Sequence, residues 1–364
     1  MIPFQEQLLN QQDELKTIVS GWFYNVDFNE IYEDNIVEYL SFVTYTTHPK
    51  DLTKEERQYI QHLFQLLFSK HQIKKGYNSK IKLMSPLADP IKYAHFPFIY
   101  YTITWLLHQL GCCYLRYLGY KHIVINNVSF WIYKSQSKQP SILFIHGVST
   151  GLTAYMAFIR RLHYSTRRTL ILLDLPYVSM RHCFTINPMA TILKSLEELL
   201  LKNDLIKQKL TIVGHSYGTC VQAYLIRHGR ELLSEKTIFL DPVCFLLYHA
   251  IMPYNFLYRH RPRTPNQFMI YAFCSCDLFI ANTLQRNFYW YENIIYVKDL
   301  KAIQESFVFL SELDDLVPAQ LVENYLKTKK DQDQQVNVKI FSKFKHAQFL
   351  LSDKAQQEIL AALN

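Results

Sequence analysis

Three stretches near the start of the chain, 8–23, 31–42 and 55–68, place apolar residues three and four apart among Gln, Glu and Lys. That spacing predicts amphipathic helices, packed on a larger body or on each other. No repeat, low-complexity tract or Pro/Gly linker separates them from the rest of the chain. Beyond residue 120 the runs shorten. Apolar stretches at 122–125 and 128–133 flank Asn126-Asn127, which reads as an antiparallel hairpin. A near-continuous apolar strand begins at Ser141 and ends at His146-Gly147. Strands at 170–174, 210–213, 237–240, 307–311 and 336–341 alternate with helical stretches, among them 154–162, 191–202 and 220–227. This alternation predicts an α/β domain, a mostly parallel sheet flanked by helices, with its ligand site at the carboxyl ends of the strands.

Two segments break the alternation. Residues 93–115 contain no Asp, Glu, Lys or Arg, and about 20 such residues are long enough to span a bilayer. His95, Pro97, His108 and Gln109 count against a span, and basic residues stand on both sides. Three readings are open: a buried or surface-lying helix, a true span, or an ordinary loop-helix. A surface-lying helix with Tyr and Trp at headgroup level would suit a lipid-active enzyme. The second segment is the long insertion between Asp241 and Lys301, dense in aromatics such as Phe245, Tyr254, Tyr258 and the run Phe288-Tyr-Trp-Tyr291. In this position it predicts a helical cap, whose aromatics fit either packing on the core or an apolar acyl pocket.

Composition narrows the picture. A chain of 364 residues with 49% hydrophobic content and nine glycines can build one large domain plus an appendage. The net charge of +8 suits an anionic surface, but no nucleic-acid module accompanies it. Seven scattered cysteines lack zinc-ligand spacing and read as reduced thiols in an intracellular compartment. The first residues have neither a basic n-region nor an apolar h-region, so a cleaved signal peptide is not expected.

The chemistry gathers around Gly214-His-Ser-Tyr-Gly218, directly after an apolar β run. A strand that ends at Gly214 and restarts as a helix must reverse sharply, leaving Ser216 at the apex in a strained backbone conformation. A serine needs a base, a group that orients the base, and donors for the oxyanion. Asp314 follows the 307–311 strand and precedes Val317-Pro318, which suits the orienting carboxylate. Asp315 and Asp241 are its rivals, and an unused neighbour would cap the next helix. His346 lies between the last strand and a final helix, within reach of the sheet's carboxyl edge, as general base. The N–H groups of Val148, after His146-Gly147, and of Tyr217 are the candidate oxyanion donors.

With His146-Gly147, the elbow at Ser216, Asp314 before Val317-Pro318, and His346-Ala-Gln-Phe-Leu350 in this order, the chain resembles the α/β-hydrolase fold proteins. Stretches such as Leu173-Asp-Leu-Pro-Tyr177 and Leu240-Asp-Pro-Val243 are similar to a little-characterised eukaryotic branch of that superfamily. The resemblance implies a serine nucleophile acting on ester, thioester or amide substrates, with no metal or organic cofactor. A serine at the elbow sets the chain apart from the epoxide hydrolases and dehalogenases of the fold, which use a carboxylate. One departure is Ser149-Thr150, where many esterases carry further glycines.

The resulting expectation is a serine hydrolase of carboxylic esters with an apolar, lipid-like acyl group. An acyltransferase on the same machinery and a non-catalytic membrane-associated scaffold are the alternatives. Residues 1–120 are expected to form a helical region with a candidate membrane-associated segment at 93–115. Residues 121–364 are expected to form the hydrolase domain, capped at about 243–300. The partner is an acyl substrate, small or lipid, and no nucleic acid. The location is intracellular, with membrane association through 93–115.

Overall fold

The structure, a computed structural model, describes residues 14–259, 261–329 and 335–363. Its eight strands are β1 (Lys121–Ile125), β2 (Val128–Tyr133), β3 (Ser141–Ile145), β4 (Leu170–Asp174), β5 (Leu210–His215), β6 (Leu233–Leu240), β7 (Glu305–Ser311) and β8 (Gln335–Phe341). They form one sheet in the order β1-β2-β4-β3-β5-β6-β7-β8. β1 and β2 are the predicted hairpin, and Asn126 and Asn127 both take positive φ, the backbone that a two-residue turn of this hand demands. β2 also runs antiparallel to β4, while every pairing from β4 through β8 is parallel. Strands β3, β4 and β5 are buried at every position, as strands covered on both faces must be.

The register brings the carboxyl ends to one edge: Ile145 pairs with Gly214, Gly214 with Phe239, and Leu240 with Phe309. Three backbone bonds continue this stitching past the strand ends. The N–H of Ser216 donates to Leu240, that of Asp241 to Phe309, and that of Glu312 to Phe341. The edge that must carry the site is thereby fixed at the loops after β3, β5, β6, β7 and β8.

The early helices are Glu33–Tyr45 and Lys54–Phe68, with Leu15–Trp22 as the described part of the first; residues 8–13 of that prediction lie outside the described residues. A capping box starts Lys54–Phe68: the Glu56 N–H donates to Thr53 Oγ1 at 3.2 Å and the Thr53 N–H to Glu56 Oε2 at 2.8 Å. The indole of Trp22 donates to the Tyr248 carbonyl at 3.0 Å, so the first helix is pinned to the cap. Buried residues from Leu15 to Val336 form a single apolar cluster that runs through these helices, one face of the sheet and the cap.

Segment 93–115 proves to be a surface-lying helix, Phe98–Tyr117. One face is held by the domain: Thr104, Gly111, Cys112 and Leu115 are buried, and Thr104 Oγ1 donates to the Met180 carbonyl at 2.7 Å. This anchoring to the domain counts against a true span. No single helix among the described residues is long and apolar enough to cross a membrane. One pair bent by 82°, Pro265–Ser275 with Leu278–Arg286, reaches that length and composition only together. All seven cysteines are free thiols.

Candidate active site

Ser216 sits where the elbow was expected, with φ of +51°, in the left-handed region that a non-glycine residue rarely takes. The flanking glycines show why the turn is possible. A Cβ at Gly218 would stand 2.3 Å from the Ile145 carbonyl oxygen and 2.8 Å from that of His146. A Cβ at Gly147 would meet the Ser216 Cβ at 2.7 Å. The helix after the elbow thus packs directly on the end of β3, and the turn after β3 packs on the serine.

His346 reaches this serine from the loop after β8. Its Nε2 lies 2.9 Å from Ser216 Oγ, and its Nδ1 lies 2.7 Å from Asp314 Oδ2. The carboxylate can only accept, so Nδ1 carries the proton and Nε2 is free to accept from the hydroxyl. The Asp314 side chain is fully buried and that of His346 is 10% exposed. Burial pulls the imidazole down, but the facing Asp314 carboxylate, helped by Asp241 and Asp315, pushes it up to about 9. Asp314 is itself held in place because its Oδ1 accepts the N–H groups of Leu316 and Val317, at 2.7 and 3.0 Å.

The rival acids do other work. Asp315 does not cap the following helix; its oxygens accept from Asn266 and Gln267 of the insertion, at 2.9 and 2.7 Å. Asp314 binds the turn before that helix, at Leu316 and Val317, ahead of its start at Ala319. Asp241 accepts the Ala347 N–H at 2.9 Å and faces His215 Nε2 at 3.8 Å, so it holds the loop beside His346 rather than the imidazole. Ligand atoms of Asp241, Asp314 and His346 lie within 4.8 Å of one another, the spacing of a metal site. The hydrogen bonds to Ala347, His346 and Ser216 already engage all three.

Among the described residues, no group accepts from the N–H of Val148 or of Tyr217. Both residues line the same cavity as Ser216, so both N–H groups are available to an oxyanion there. Two buried networks fix the Val148 turn. In one, the Gly147 N–H donates to the Tyr155 hydroxyl at 3.0 Å, and that hydroxyl donates to His215 Nδ1 at 2.7 Å. In the other, His146 Nε2 accepts the Leu175 N–H at 2.9 Å, leaving Nδ1–H to donate to the Gly147 carbonyl at 2.8 Å.

Beside His146 lies a buried ion pair, Asp174 with Arg181 at 2.5 Å. Burial alone would raise the Asp174 carboxyl, but the Arg181 guanidinium holds it well below the usual carboxylate range. A depressed folded-state value adds stability above the ordinary aspartate value of about 3.9, lost as pH falls toward the folded value. Arg181→Ala is therefore expected to cost about 3–5 kcal/mol near neutral pH by leaving Asp174 unpaired. Denaturant titrations should show that deficit narrowing as the pH falls toward the ordinary aspartate range, because the unpaired Asp174 of the variant, raised by burial, takes up its proton before the paired one does.

The cavity at Ser216 measures about 120 Å³ and has no charged residue in its wall. The insertion supplies Phe256, Leu257, Leu284, Phe288 and Trp290. Residues with no local signal of a site also line it: Trp22 and Phe42 from the early helices, with Pro86 and Leu87. In the sequence they read only as core positions of helices or as turn residues. Tyr155 and the Asp241–Ala347 contact were likewise silent, since each depends on partners far along the chain.

No protein-family model matches the sequence, and no curated protein matches it. Among solved structures the chain is similar to a membrane phospholipase A described as a bacterial virulence factor, at TM-score 0.50 and 15% identity. That alignment covers 73% of this chain and 92% of the other. It also aligns with a thermophilic esterase from Thermogutta terrifontis, at TM-score 0.48 and 15% identity over 67% of this chain and 97% of that one. A 2-hydroxy-6-oxo-6-phenylhexa-2,4-dienoate hydrolase from Rhodococcus sp. strain RHA1 aligns at TM-score 0.46 and 14% identity, over 66% and 96% of the two chains. Similarity at such identity speaks to fold, and the fold is that of the α/β-hydrolases.

Proposed function

We propose that this chain, an α/β-hydrolase by fold, is a serine hydrolase that cleaves carboxylic esters bearing an apolar, lipid-like acyl group. The observation that carries the reading is a serine in contact with a carboxylate-oriented imidazole at the wall of an apolar cavity. His346 Nε2 takes the hydroxyl proton as Ser216 Oγ attacks the acyl carbonyl. The imidazolium, stabilised by Asp314, then gives that proton to the leaving alkoxide. The N–H groups of Val148 and Tyr217 hold the oxyanion at each tetrahedral stage. Water, deprotonated by the same imidazole, releases the acid and restores Ser216. Under this reading residues 121–364 are the catalytic domain, with its cap at about 243–300, and residues 1–120 are an extension that completes the acyl pocket. The enzyme acts inside the cell on lipids at or near a membrane.

A homologous series of nitrophenyl esters tests the substrate class. Each methylene buried in the cavity is worth about 0.8 kcal/mol, so kcat/KM should rise about fourfold per added carbon until the cavity is full. Leu257→Trp fills part of that space and should bring the plateau to shorter chains while sparing acetyl esters. A wild-type profile that is flat or falls from acetate onward would contradict the apolar acyl pocket.

A further inference from the structure

The outer face of the helix Phe98–Tyr117 is apolar and turned to solvent. Ile99, Ile103, Leu106, Leu110, Cys113 and Tyr117 follow one another at steps of three and four, so they form a stripe down a rod of about 30 Å. All six are exposed, with Leu110 at 66% and Tyr117 at 83%, and Phe98 beside them is at 85%. The opposite face is packed on the domain, so the helix cannot roll to hide this stripe. A soluble surface seldom leaves so long an apolar patch without a partner.

The patch continues onto the cap. The Ala94 N–H donates to the Cys276 carbonyl at 2.8 Å, the Tyr100 hydroxyl donates to the Phe273 carbonyl at 3.3 Å, and the Phe96 ring stacks on Phe273. The turn carrying Phe273 leads directly out of the helix Pro265–Met269, whose Phe268 and Met269 are each 54% exposed. Just before that helix, the exposed Arg261 and Arg263 line an open recess with Tyr254 and Tyr258. Phe256 and Leu257 of the same helical turn line the Ser216 cavity, so recess and cavity share a wall.

Charge selects the occupant. Segments 91–121 and 259–276 contain no Asp or Glu, yet they hold Lys92, Arg116, Lys121, Arg259, Arg261 and Arg263. A second copy docking on this face would set like charges against each other, because the neighbouring carboxylates are already engaged: Asp315 by Asn266 and Gln267, and Asp89 by Lys82 and Tyr258. An anionic bilayer answers both features at once, with acyl hydrocarbon for the stripe and headgroup charge for the cations. We propose that the helix Phe98–Tyr117 and the cap segment 261–273 form one docking face for an anionic lipid bilayer. The helix lies in the headgroup plane, and the cap wall of the cavity is presented to the lipid. Lipid as the docked enzyme's substrate rests on the hydrolase reading; docking itself needs no turnover.

Sedimentation of the full-length chain with vesicles tests this, using phosphatidylcholine alone and phosphatidylcholine with about one third phosphatidylserine. The protein should pellet with the anionic vesicles roughly tenfold more strongly than with the neutral ones, and less so as salt rises. Arg261→Gln with Arg263→Gln should weaken partitioning about fivefold per charge removed. Ile103→Asp with Leu110→Asp should abolish it, with thermal midpoint and rate on a soluble acetyl ester unchanged. No pelleting with anionic vesicles, or pelleting that both double variants leave intact, overturns the proposal. So does a dimer in light scattering that Ile103→Asp with Leu110→Asp dissolves, since a second copy then owns the face. An inactive protein that still pellets leaves docking standing and removes the hydrolase reading; an active one that never pellets does the reverse.

Discussion

Ser216→Ala is expected to lower kcat on a soluble acetyl ester by about six orders of magnitude. The size of the effect follows from the shape of the site. Among the described residues, Ser216 is the sole aliphatic hydroxyl in the cavity wall, and His346 Nε2 points at its oxygen. Without Oγ no acyl-enzyme can form, and only oxyanion stabilisation and binding remain to assist water. The substitution removes one oxygen from a position whose φ of +51° is imposed by the elbow, so the thermal midpoint should move by only a few degrees, about 1 kcal/mol or less. A loss below roughly a hundredfold would mean that another group attacks the carbonyl, since preserved general-base and oxyanion help cannot exceed that of the full set.

Asp314→Asn is the second large effect, a fall in kcat of about 10⁴-fold. An asparagine keeps the shape of the side chain and its bonds to the Leu316 and Val317 N–H groups. It can, however, present an amide N–H to His346 Nδ1, which favours the tautomer with the proton on Nε2, facing the serine. It also removes the charge that stabilises the imidazolium, and with it the force that raises the imidazole pKa. In the wild type the neutral, active imidazole is reached only as pH rises through its folded value, pushed up to about 9 by Asp314. The rising limb of kcat/KM therefore lies above the ordinary histidine value of about 6.5. In Asp314→Asn the depressing effect of burial is left unopposed by its largest counterweight, and the limb should move to lower pH. Asp315→Asn, whose carboxylate is bonded to Asn266 and Gln267, should cost less than about tenfold. If Asp315→Asn or Asp241→Asn instead gave the larger loss and the downward shift, the orienting acid would be the wrong one.

What local pattern encodes was legible in the chain, and what depends on distant partners was not. The two asparagines of the β1–β2 turn, the buried runs of β3, β4 and β5, and the elbow glycines announce themselves because their constraint is satisfied within a few residues. The order Ser216, Asp314, His346 was readable because each follows a strand, and strand ends share one edge of a parallel sheet. The acid's identity needed the fold, since Asp314 and Asp315 are neighbours and only backbone direction decides which faces His346. The apolar cavity at Ser216 was least legible. Trp22 lies 194 residues before Ser216 in the sequence (216 − 22), and its apolar spacing says only that it is buried. The helix Phe98–Tyr117 fell between, because hydropathy records its composition while the buried Thr104, Gly111 and Cys112 that anchor it emerge only on packing.

The central claim is that Ser216 is an activated nucleophile, and covalent labelling by a fluorophosphonate probe reads that directly. Wild-type protein is predicted to label at one site, located at Ser216 by mass spectrometry of the modified peptide. Ser216→Ala should not label, and His346→Ala should label far more slowly because the hydroxyl keeps its proton. Wild-type protein that stays unlabelled, or Ser216→Ala protein that labels as readily as wild type, would contradict the account.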